Sequence, residues 1–336
     1  MRVLVTGGAG FIGSNFIHLL ISKHPDWQIT NFDLLTYAGN PANLKDIENH
    51  PGYKFIKGDI ADINQVRQLF NDSFDYVVNF AAETHVDRSL YEPQLFIRTN
   101  VMGTQVLLDQ ARQAGVMRFL QVSTDEVYGS IEPPDLADEQ ASLKPGSPYA
   151  AAKASADLLC LSYFNTYDMP VIITRTCNNY GPYQFPEKVI PLFITKALQN
   201  EPLPIYGDGL NIRDWLYVDD NCEAILMALE KGQLGEIYNI AGGNHLTNIE
   251  LTKAILAALN KSESLIKFVE DRPGHDRRYA ITAQKLLESL GWKPQTAFAD
   301  GLQRTIDWYT TNENWWRDIK SGEYLKFYEK HYKNRQ

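Results

Sequence analysis

Three glycines directly after the first apolar segment constrain the fold of this chain more than any other feature. Gly7, Gly10 and Gly13 follow a predicted strand, Arg2–Thr6, and open a predicted helix, Phe11–Lys23. The first glycine allows a tight turn, the second lets the backbone approach a pyrophosphate, and the third allows close helix packing. This strand, turn and helix are typical of the first unit of a doubly wound sheet, which presents a helix N-terminus to an anion.

Short apolar segments rich in β-formers alternate with helical stretches along the first half of the chain. Further strands are predicted at Gln28–Phe32, Tyr53–Lys57, Tyr76–Ala81, Phe119–Ser123 and Val171–Thr176, and helices at Pro93–Gln113 and Ser147–Tyr167. Several strands are continuously apolar, as expected when helices cover both faces of a sheet. We therefore expect an α/β fold: a doubly wound parallel sheet of the Rossmann type with a second, smaller substrate-binding domain.

The regular alternation ends after Gly181, where five prolines fall between residues 182 and 204. A helix at Asp219–Lys231 and a strand at Glu236–Ile240 are predicted to return to the sheet. The expected dinucleotide-binding domain is therefore residues 1–182 with about 215–258 returning to it. The expected substrate-binding domain is 183–214 with 259–336.

Charge and cysteine content exclude several classes of function. The net charge is −9, which disfavours nucleic acid and anionic membrane as partners unless cations are concentrated locally. Cys160, Cys177 and Cys222 show no CxxC spacing, so we expect neither a disulfide framework nor a metal site, and a cytoplasmic location. The chain has no apolar run long enough for a transmembrane helix, and we expect no signal peptide.

Asp33 ends the second predicted strand, twenty residues after Gly13. A carboxylate at this position accepts hydrogen bonds from the ribose hydroxyls of an adenine dinucleotide and repels a 2′-phosphate. Because Leu34 and Leu35 supply no arginine to neutralise such a phosphate, NAD is favoured over NADP. Asp59 and Ile60, which follow the third strand, are either adenine contacts or an ordinary strand-to-helix turn.

Tyr149 and Lys153 form a YxxxK pair one helical turn apart. A nearby ammonium and a positive nicotinamide ring would lower the pKa of the tyrosine, so that its phenolate accepts a hydroxyl proton. Tyr53 and Lys57 have the same spacing but fall in a predicted strand, so only the first pair is interpreted as catalytic.

The fifth predicted strand runs directly into Thr124, Asp125 and Glu126. The carboxyl ends of parallel strands border the ligand crevice, so two adjacent acids there suggest an acid and a base for proton transfer. The alternative is that the acidic pair merely caps the following turn. The spacing does not say which residue has which role.

Together these residues resemble the extended short-chain dehydrogenase/reductases that modify nucleotide sugars, and within them the dTDP-glucose 4,6-dehydratases. The resemblance covers essentially the whole chain. Its motifs are Thr6–Gly13, Ala81–Ser89, Val122–Gly129, Tyr149–Lys153, Asn178–Lys188, Ile212–Asp220 and Asp271–Ala280.

The resemblance implies an NAD-dependent hydro-lyase of deoxysugar biosynthesis (the rhamnose pathway) that converts dTDP-glucose to dTDP-4-keto-6-deoxyglucose and water. Tyr149, assisted by Lys153 and Thr124, is the implied base for oxidation at C4. Glu126 removes the C5 proton, Asp125 protonates the departing C6 hydroxyl, and hydride returns to C6. NAD stays bound and is regenerated in each turnover.

The resemblance also implies two sets of binding residues. The cofactor set is Gly7, Gly10, Phe11, Ile12, Gly13, Asp33, Leu34, Thr36, Asp59, Ile60, Ala81, Ala82, Thr99, Tyr149 and Lys153. The substrate set is His85, Thr124, Asn178, Lys188, Val189, Pro204, Tyr206, Arg213, Asn248, Arg272 and His275, with Arg213 and Arg272 as diphosphate contacts. We also expect Arg277 and Arg278 to add positive charge to the substrate lobe.

Two alternative activities and one oligomeric state remain as hypotheses. A UDP-glucose 4,6-dehydratase would share the same catalytic residues, whereas a 4-epimerase would leave the acidic pair without a role. The predicted helices Pro93–Gln113 and Ser147–Tyr167 are apolar on more than one face. The resemblance implies that they form the four-helix bundle of a homodimer.

Overall fold

The structure, a computed structural model, describes residues 1–321. Residues 322–336 of the predicted second domain lie outside the described residues. The strands are β1 (Arg2–Thr6), β2 (Gln28–Asp33), β3 (Tyr53–Lys57), β4 (Tyr76–Asn79), β5 (Arg118–Thr124), β6 (Val171–Thr176), β7 (Asn178–Tyr180), β8 (Leu203–Tyr206), β9 (Ile212–Tyr217), β10 (Ile237–Ile240), β11 (His245–Thr247) and β12 (Ile266–Val269).

Helices connect most of these strands. They are α1 (Phe11–Lys23), α2 (Ile63–Leu69), α3 (Val86–Tyr91), α4 (Pro93–Phe96), α5 (Thr104–Ala114), α6 (Pro148–Tyr167), α7 (Val189–Leu198), α8 (Val218–Lys231), α9 (Asn248–Ala258), α10 (Gln284–Leu290), α11 (Phe298–Thr311) and α12 (Glu313–Ser321). Short 3-10 segments lie at Pro41–Ile47, Asp125–Tyr128 and Glu263–Leu265. In the described part of the chain, no helix is long and apolar enough to cross a membrane.

Seven parallel strands form the main sheet, in the order β10-β6-β5-β4-β1-β2-β3. The chain proceeds outward from β1 to β3, then returns to β4 and proceeds outward on the other side. The crevice of such a sheet lies at this reversal, between the carboxyl ends of β1 and β4. The predicted doubly wound fold is confirmed.

Helices cover both faces of the main sheet. On one face α1 and α8 contribute Phe16, Leu20 and Ile225 to a buried core. On the other, α5 and α6 contribute Leu107 and Cys160. Because both faces are buried, the central strands are mostly apolar, which explains why their pattern in the sequence is continuous rather than alternating.

A second lobe holds two small sheets, β11-β9-β7 and β12-β8. Its core is formed mainly by α7, α9 and α11, with Phe193, Leu251 and Ile306 among the buried residues. The lobes interleave more than the predicted boundaries suggest: α9 packs in this lobe, so the segment that returns to the main sheet ends near β10. Leu286 and Trp292 pack back against the main-sheet core.

The predicted helix Pro93–Gln113 is interrupted by a π-helical segment, Ile97–Gly103, between α4 and α5. Within this segment the Asn100 side chain accepts from Glu83 N (2.8 Å) and donates to Glu83 O (3.0 Å). Thr104 Oγ1 donates to Asn100 O (2.7 Å). These contacts bind the widened turn to the chain that follows β4, and the apolar period of the sequence does not reveal them.

Candidate active site

Two clefts meet at the carboxyl end of the main sheet. The glycine-loop cleft, about 290 Å³, lies over β1, β2 and β4. The interlobe cleft, about 320 Å³, lies between the main sheet and the second lobe. Four residues line both clefts: Glu126, Asn178, Glu187 and Lys188. A ligand in one cleft therefore comes within reach of a ligand in the other.

The glycine loop is closed tightly against the sheet. Gly7 has a φ of 69°, and a Cβ there would lie 2.6 Å from Ala81 N. A Cβ on Gly13 would lie 2.4 Å from Gly7 O. No side chain caps the start of α1 at Gly10, so the first N–H groups of the helix are available to an anionic ligand.

All fifteen predicted cofactor residues line the glycine-loop cleft. Asp33 Oδ2 accepts from Ala9 N (2.9 Å) and Oδ1 accepts from Leu35 N (2.7 Å), so its carboxylate also fixes the loop. Asp59 Oδ2 accepts from Arg98 Nη2 (2.6 Å). The tight loop, the uncapped helix and a buried acid at the end of β2 fit an adenine dinucleotide. Nicotinamide dinucleotides supply an electron acceptor, which the side chains of this cleft do not.

Tyr149 and Lys153 lie on the first two turns of α6, and both are buried. Ser147 caps this helix by accepting from Ala150 N (3.1 Å), and Pro148 sits at its first position. Lys153 Nζ donates to Val122 O (2.6 Å), which holds the ammonium at the end of β5. The other predicted pair, Tyr53 and Lys57, lies in β3 as expected.

The expected lowering of the Tyr149 pKa includes the charge of a nicotinamide ring, and the protein groups alone act in the other direction. Burial and the charge of Glu126 raise the pKa of Tyr149, although the Thr124 side chain opposes the shift. Burial lowers the pKa of Lys153, with the Asp157 carboxylate opposing. The side chains alone therefore keep this tyrosine neutral. An additional positive charge, such as an oxidised nicotinamide ring, would shift its pKa toward neutrality.

Thr124 is the last residue of β5, and Asp125 and Glu126 follow it. Thr124 Oγ1 accepts from Glu126 N (3.3 Å) and lies 3.3 Å from Asp125 Oδ1. Thr124 thus caps the 3-10 segment. Glu126 lines both clefts, whereas Asp125 lines neither.

The two carboxyl groups have different environments. Burial and the neighbouring Glu126 raise the pKa of Asp125 well above its usual range. Burial also raises the pKa of Glu126, but three cations, Arg272, Arg213 and Lys188, oppose that shift. Asp125 Oδ2 has no hydrogen-bond partner among the described residues. A protonated Asp125 and a more readily ionised Glu126 are suited to act as acid and base, respectively.

The interlobe cleft concentrates positive charge in an acidic protein. Five cationic side chains line it, Lys188, Lys196, Arg213, Lys267 and Arg272, against three carboxylates, Asp87, Glu126 and Glu187. Arg272 Nη1 donates to Asp87 Oδ1 (2.6 Å), and Arg213 Nη2 donates to Asp276 O (3.0 Å). Such a cleft suits a small anionic ligand.

Ten of the eleven predicted substrate residues line the interlobe cleft, and the remaining one, Thr124, lines the glycine-loop cleft. Two expected contributors of charge lie elsewhere. Arg277 pairs with Asp208 on the surface (2.8 Å), and Arg278 donates to Ile131 O and Asp135 O. Adjacent residues in an extended segment point to opposite sides, so Arg277 and Arg278 cannot both follow Arg272 into the cleft.

Sequence reasoning missed two residues of this junction, Tyr279 and Glu187. The Tyr279 hydroxyl lies 3.3 Å from Glu126 Oε2. Glu187 Oε2 lies 3.5 Å from His85 Nε2, and Glu187 Oε1 has no hydrogen-bond partner among residues 1–321. Both lie within the quoted motifs, where only their position in space distinguishes them. No group of three metal-ligating residues occurs in the described chain.

Glu187 makes a measurable pH dependence possible. Burial raises the pKa of its carboxyl from 4.5 to about 7, with Glu83 adding to the shift and Lys188, Arg88 and Tyr37 opposing it. The folded protein therefore holds this proton more tightly than the unfolded chain, and its stability falls as pH rises from 4.5 to about 7. Over this range the Glu187 carboxyl should lower the free energy of unfolding of the parent by roughly 3 kcal/mol, and we expect Glu187→Gln to remove that loss.

The measurement is the free energy of unfolding of the ligand-free protein in urea, at a pH below 4.5 and at a pH above about 7. The variant should gain stability relative to the parent only at the alkaline end. Glu48→Gln, at an exposed position, is the matched control and should follow the parent. A constant difference between Glu187→Gln and the parent at all pH values would contradict the assignment.

Comparisons with known proteins agree with this geometry. The family model described as GDP-mannose 4,6 dehydratase matches residues 4–305. The Low-salt glycan biosynthesis protein Agl12 of Haloferax volcanii is 53% identical over 92% of this chain and 98% of its own length. A dTDP-glucose 4,6-dehydratase of Streptomyces antibioticus is 50% identical over 95% of this chain and 96% of its own.

A solved structure is similarly close. The crystal structure of DesIV, a dTDP-glucose 4,6-dehydratase from Streptomyces venezuelae with NAD and dTDP bound, superposes with a TM-score of 0.93. It is 50% identical and the match covers 95% of this chain and all of that one.

Proposed function

We propose that this chain is an NAD-dependent hydro-lyase acting on dTDP-glucose. The chain belongs to the GDP-mannose 4,6-dehydratase family. The products are dTDP-4-keto-6-deoxyglucose and water. The single observation that carries the assignment is the glycine-loop cleft, which Tyr149, Lys153 and Glu126 line together, with Asp125 buried next to Glu126 in the chain. A 4-epimerase has a use for the tyrosine and lysine but none for the acids.

The first step that the protein performs is removal of the C4 hydroxyl proton by Tyr149. Lys153 is fixed by Val122 O and stabilises the negative charge that develops on the phenol oxygen. Thr124, at the edge of the same cleft, orients the sugar hydroxyl by hydrogen bonding. Bound NAD supplies the oxidant for C4 and afterwards the reductant for C6.

The second step is loss of water from C5 and C6. The C4 ketone makes the C5 hydrogen acidic, and Glu126, which lines both clefts, removes it. Asp125, held protonated by burial, protonates the departing C6 hydroxyl. Because Asp125 does not itself line a cleft, its proton reaches the sugar through a small movement or through the hydroxyl of Thr124, 3.3 Å away.

The substrate is held by charge in the interlobe cleft. Arg213 and Arg272, the first almost fully buried, face the anionic diphosphate. Asn178 and Lys188, at the junction, lie where the sugar passes between the clefts. Pro204 and Tyr206, on β8, are the proposed contacts of the nucleoside. Buried arginines give a diphosphate strong charge-assisted hydrogen bonds.

The test of the function is incubation of the purified protein with dTDP-glucose, UDP-glucose and GDP-mannose in separate reactions. Mass spectrometry should show loss of one water from dTDP-glucose. Isomerisation without a change of mass would identify an epimerase. Water loss mainly from UDP-glucose would assign the alternative nucleotide.

We also propose that the protein is a cytoplasmic homodimer. Its three cysteines are unpaired and buried, as expected in a reducing compartment. On the outer face of α6 and the adjacent π-helical segment, large apolar side chains remain exposed: Leu158 (56%), Ile97 (57%) and Met102 (43%). Two copies of this face would bury each other as a four-helix bundle.

Leu158→Glu should convert this dimer to a monomer, because it places a charge in the centre of the proposed interface. Analytical ultracentrifugation at micromolar concentration gives the mass, which is 38.2 kDa for one chain. Leu136→Glu is the matched control, since Leu136 is 48% exposed but lies outside α6 and the π-helical segment. A parent protein that sediments as a monomer would contradict the proposal.

A further inference from the structure

We propose that Tyr279 and Asp276 form a proton relay that connects the Glu126 carboxyl with solvent. The relay rests on the proposed function, in which Glu126 takes a proton from C5 during loss of water and gives a proton back to C5 when hydride adds to C6. It consists of two contacts of one hydroxyl: Tyr279 Oη lies 3.3 Å from Glu126 Oε2 and 2.7 Å from Asp276 Oδ2.

The Tyr279 hydroxyl has one hydrogen but two carboxyl neighbours. It donates to only one of them, so the other contact is a hydrogen bond only when that carboxyl itself holds a proton. Two arrangements satisfy both contacts. In one, a protonated Glu126 donates to Tyr279 Oη, which donates to the Asp276 carboxylate. In the other, both hydrogens have moved toward Asp276. A protonated Asp276 then donates to Tyr279 Oη, and the tyrosine hydroxyl donates to the Glu126 carboxylate.

The two arrangements differ by a concerted transfer of two protons. Glu126 gives its proton to Tyr279 Oη while the hydroxyl hydrogen passes to Asp276 Oδ2. One O–H bond breaks and one forms at each contact, the tyrosine remains neutral, and nothing is oxidised or reduced. Burial and the charge of Glu126 raise the pKa of Tyr279, which disfavours a separate phenolate. Asp276 then releases its proton to water.

The relay residues are rigidly placed between the cleft and the surface. Tyr279 is 3% exposed, its N donates to Ile212 O (3.2 Å), and the Arg213 guanidinium lies 4.1 Å over its ring. Asp276 is partly exposed, and its main-chain oxygen accepts from Asn211 Nδ2 and Arg213 Nη2. Tyr279 lines the interlobe cleft beside Glu126, whereas Asp276 lines neither cleft and is the partly exposed end of the relay.

The consequence appears in the hydrogen at C5 of the product. A base isolated from solvent returns the same hydrogen that it removed. A base connected with solvent exchanges that proton before it is returned. The relay therefore predicts that the product carries a solvent hydrogen at C5.

The experiment uses the full-length enzyme with dTDP-glucose that carries deuterium at C5, in ordinary water, with the label in the product measured by mass spectrometry. The parent should lose most of the label. Tyr279→Phe and Asp276→Asn should each retain the label. The rate at which Glu126 exchanges its proton with solvent, relative to the rate at which it returns that proton to C5, should fall by about tenfold or more, and the turnover rate should change less than that. Tyr180→Phe, whose hydroxyl bonds Phe298 O outside both clefts, should behave as the parent.

The two variants separate the relay from simple positioning of Glu126. Asp276→Asn keeps an acceptor for the Tyr279 hydroxyl but cannot take up its proton, so a positioning role would leave label loss unchanged in this variant. Parent-like label loss in Asp276→Asn overturns the relay, and so does retention of the label by the parent enzyme. If the parent releases no water from dTDP-glucose, the proposed function fails instead, and unlabelled substrate shows this separately.

Discussion

Tyr149→Phe should abolish oxidation at C4, the first step of the proposed reaction. The variant lacks the oxygen that accepts the C4 hydroxyl proton, and Lys153, held by Val122 O, has no phenol oxygen to stabilise. Loss of a general base typically costs about 10²–10⁴-fold in rate. In a single turnover with dTDP-glucose, neither the absorbance of the reduced nicotinamide nor the dehydrated product should appear.

Asp125→Asn and Glu126→Gln should arrest the reaction one step later. Both variants keep Tyr149 and Lys153, so C4 oxidation survives while water loss slows by about 10²–10⁴-fold. The cofactor should therefore remain reduced on the enzyme, and its absorbance should rise and persist, whereas the parent shows only a small transient. Glu126→Gln should also stop incorporation of solvent deuterium at C5.

Tyr53→Phe is the matched control for the tyrosine variant. Tyr53 and Lys57 have the same spacing as the catalytic pair but lie in β3, where the hydroxyl accepts from Asn31 Nδ2 (3.0 Å). This variant should retain both steps. Unimpaired dehydration and C5 labelling in both acidic variants would reduce Asp125 and Glu126 to turn capping and assign the acid and base of water loss to other residues.

Most strands of the main sheet were predictable because each is a short apolar run that helices cover on both faces, whereas the edge strand β3 is largely exposed. β1, β3 and β6 have the predicted bounds, and β5 differs by one residue at each end. The glycine loop was predictable for a related reason: its chemistry is local, with a turn, a helix start and an acid at a fixed spacing. Such features depend on neighbours in the sequence.

What the sequence did not reveal depends on contacts between distant segments. The π-helical turn is fixed by Asn100 and Glu83, 17 residues apart. Tyr279 reaches Glu126 across 153 residues, and the pKa of Glu187 is raised by burial between the lobes. The hydrophobic periodicity of a sequence and the spacing of its motifs contain no information on these contacts, which exist only in the folded structure.

The lobe boundaries illustrate the same limit. The predicted return of residues 215–258 followed from one helix and one strand, and α8 and β10 do pack in or against the main sheet. α9 has a similar apolar pattern but buries Leu251 and Ile255 in the other lobe. An amphipathic helix shows that one face is buried, and its pattern does not show against which sheet.

The buried ion pair between Arg175 on β6 and Asp157 on α6 should control stability more than any other single contact. The two side chains are 2% and 0% exposed, and Arg175 Nε donates to Asp157 Oδ2 (2.9 Å). Arg175 Nη1 also donates to Tyr128 Oη (2.9 Å). Arg175→Met leaves a buried carboxylate without its cation, and we expect it to cost about 3–5 kcal/mol in urea unfolding.

The double variant Asp157→Asn with Arg175→Met tests the physical reason for that loss. It removes both charges, and replacing both members of a buried pair is often nearly neutral, so it should recover most of the lost stability. Arg277→Met, which breaks the exposed pair with Asp208, is the control and should unfold with the parent. If the single and double variants at position 175 unfold at the same urea concentration, the loss comes from the missing packing and hydrogen bond on Tyr128, and the unpaired carboxylate is not its cause.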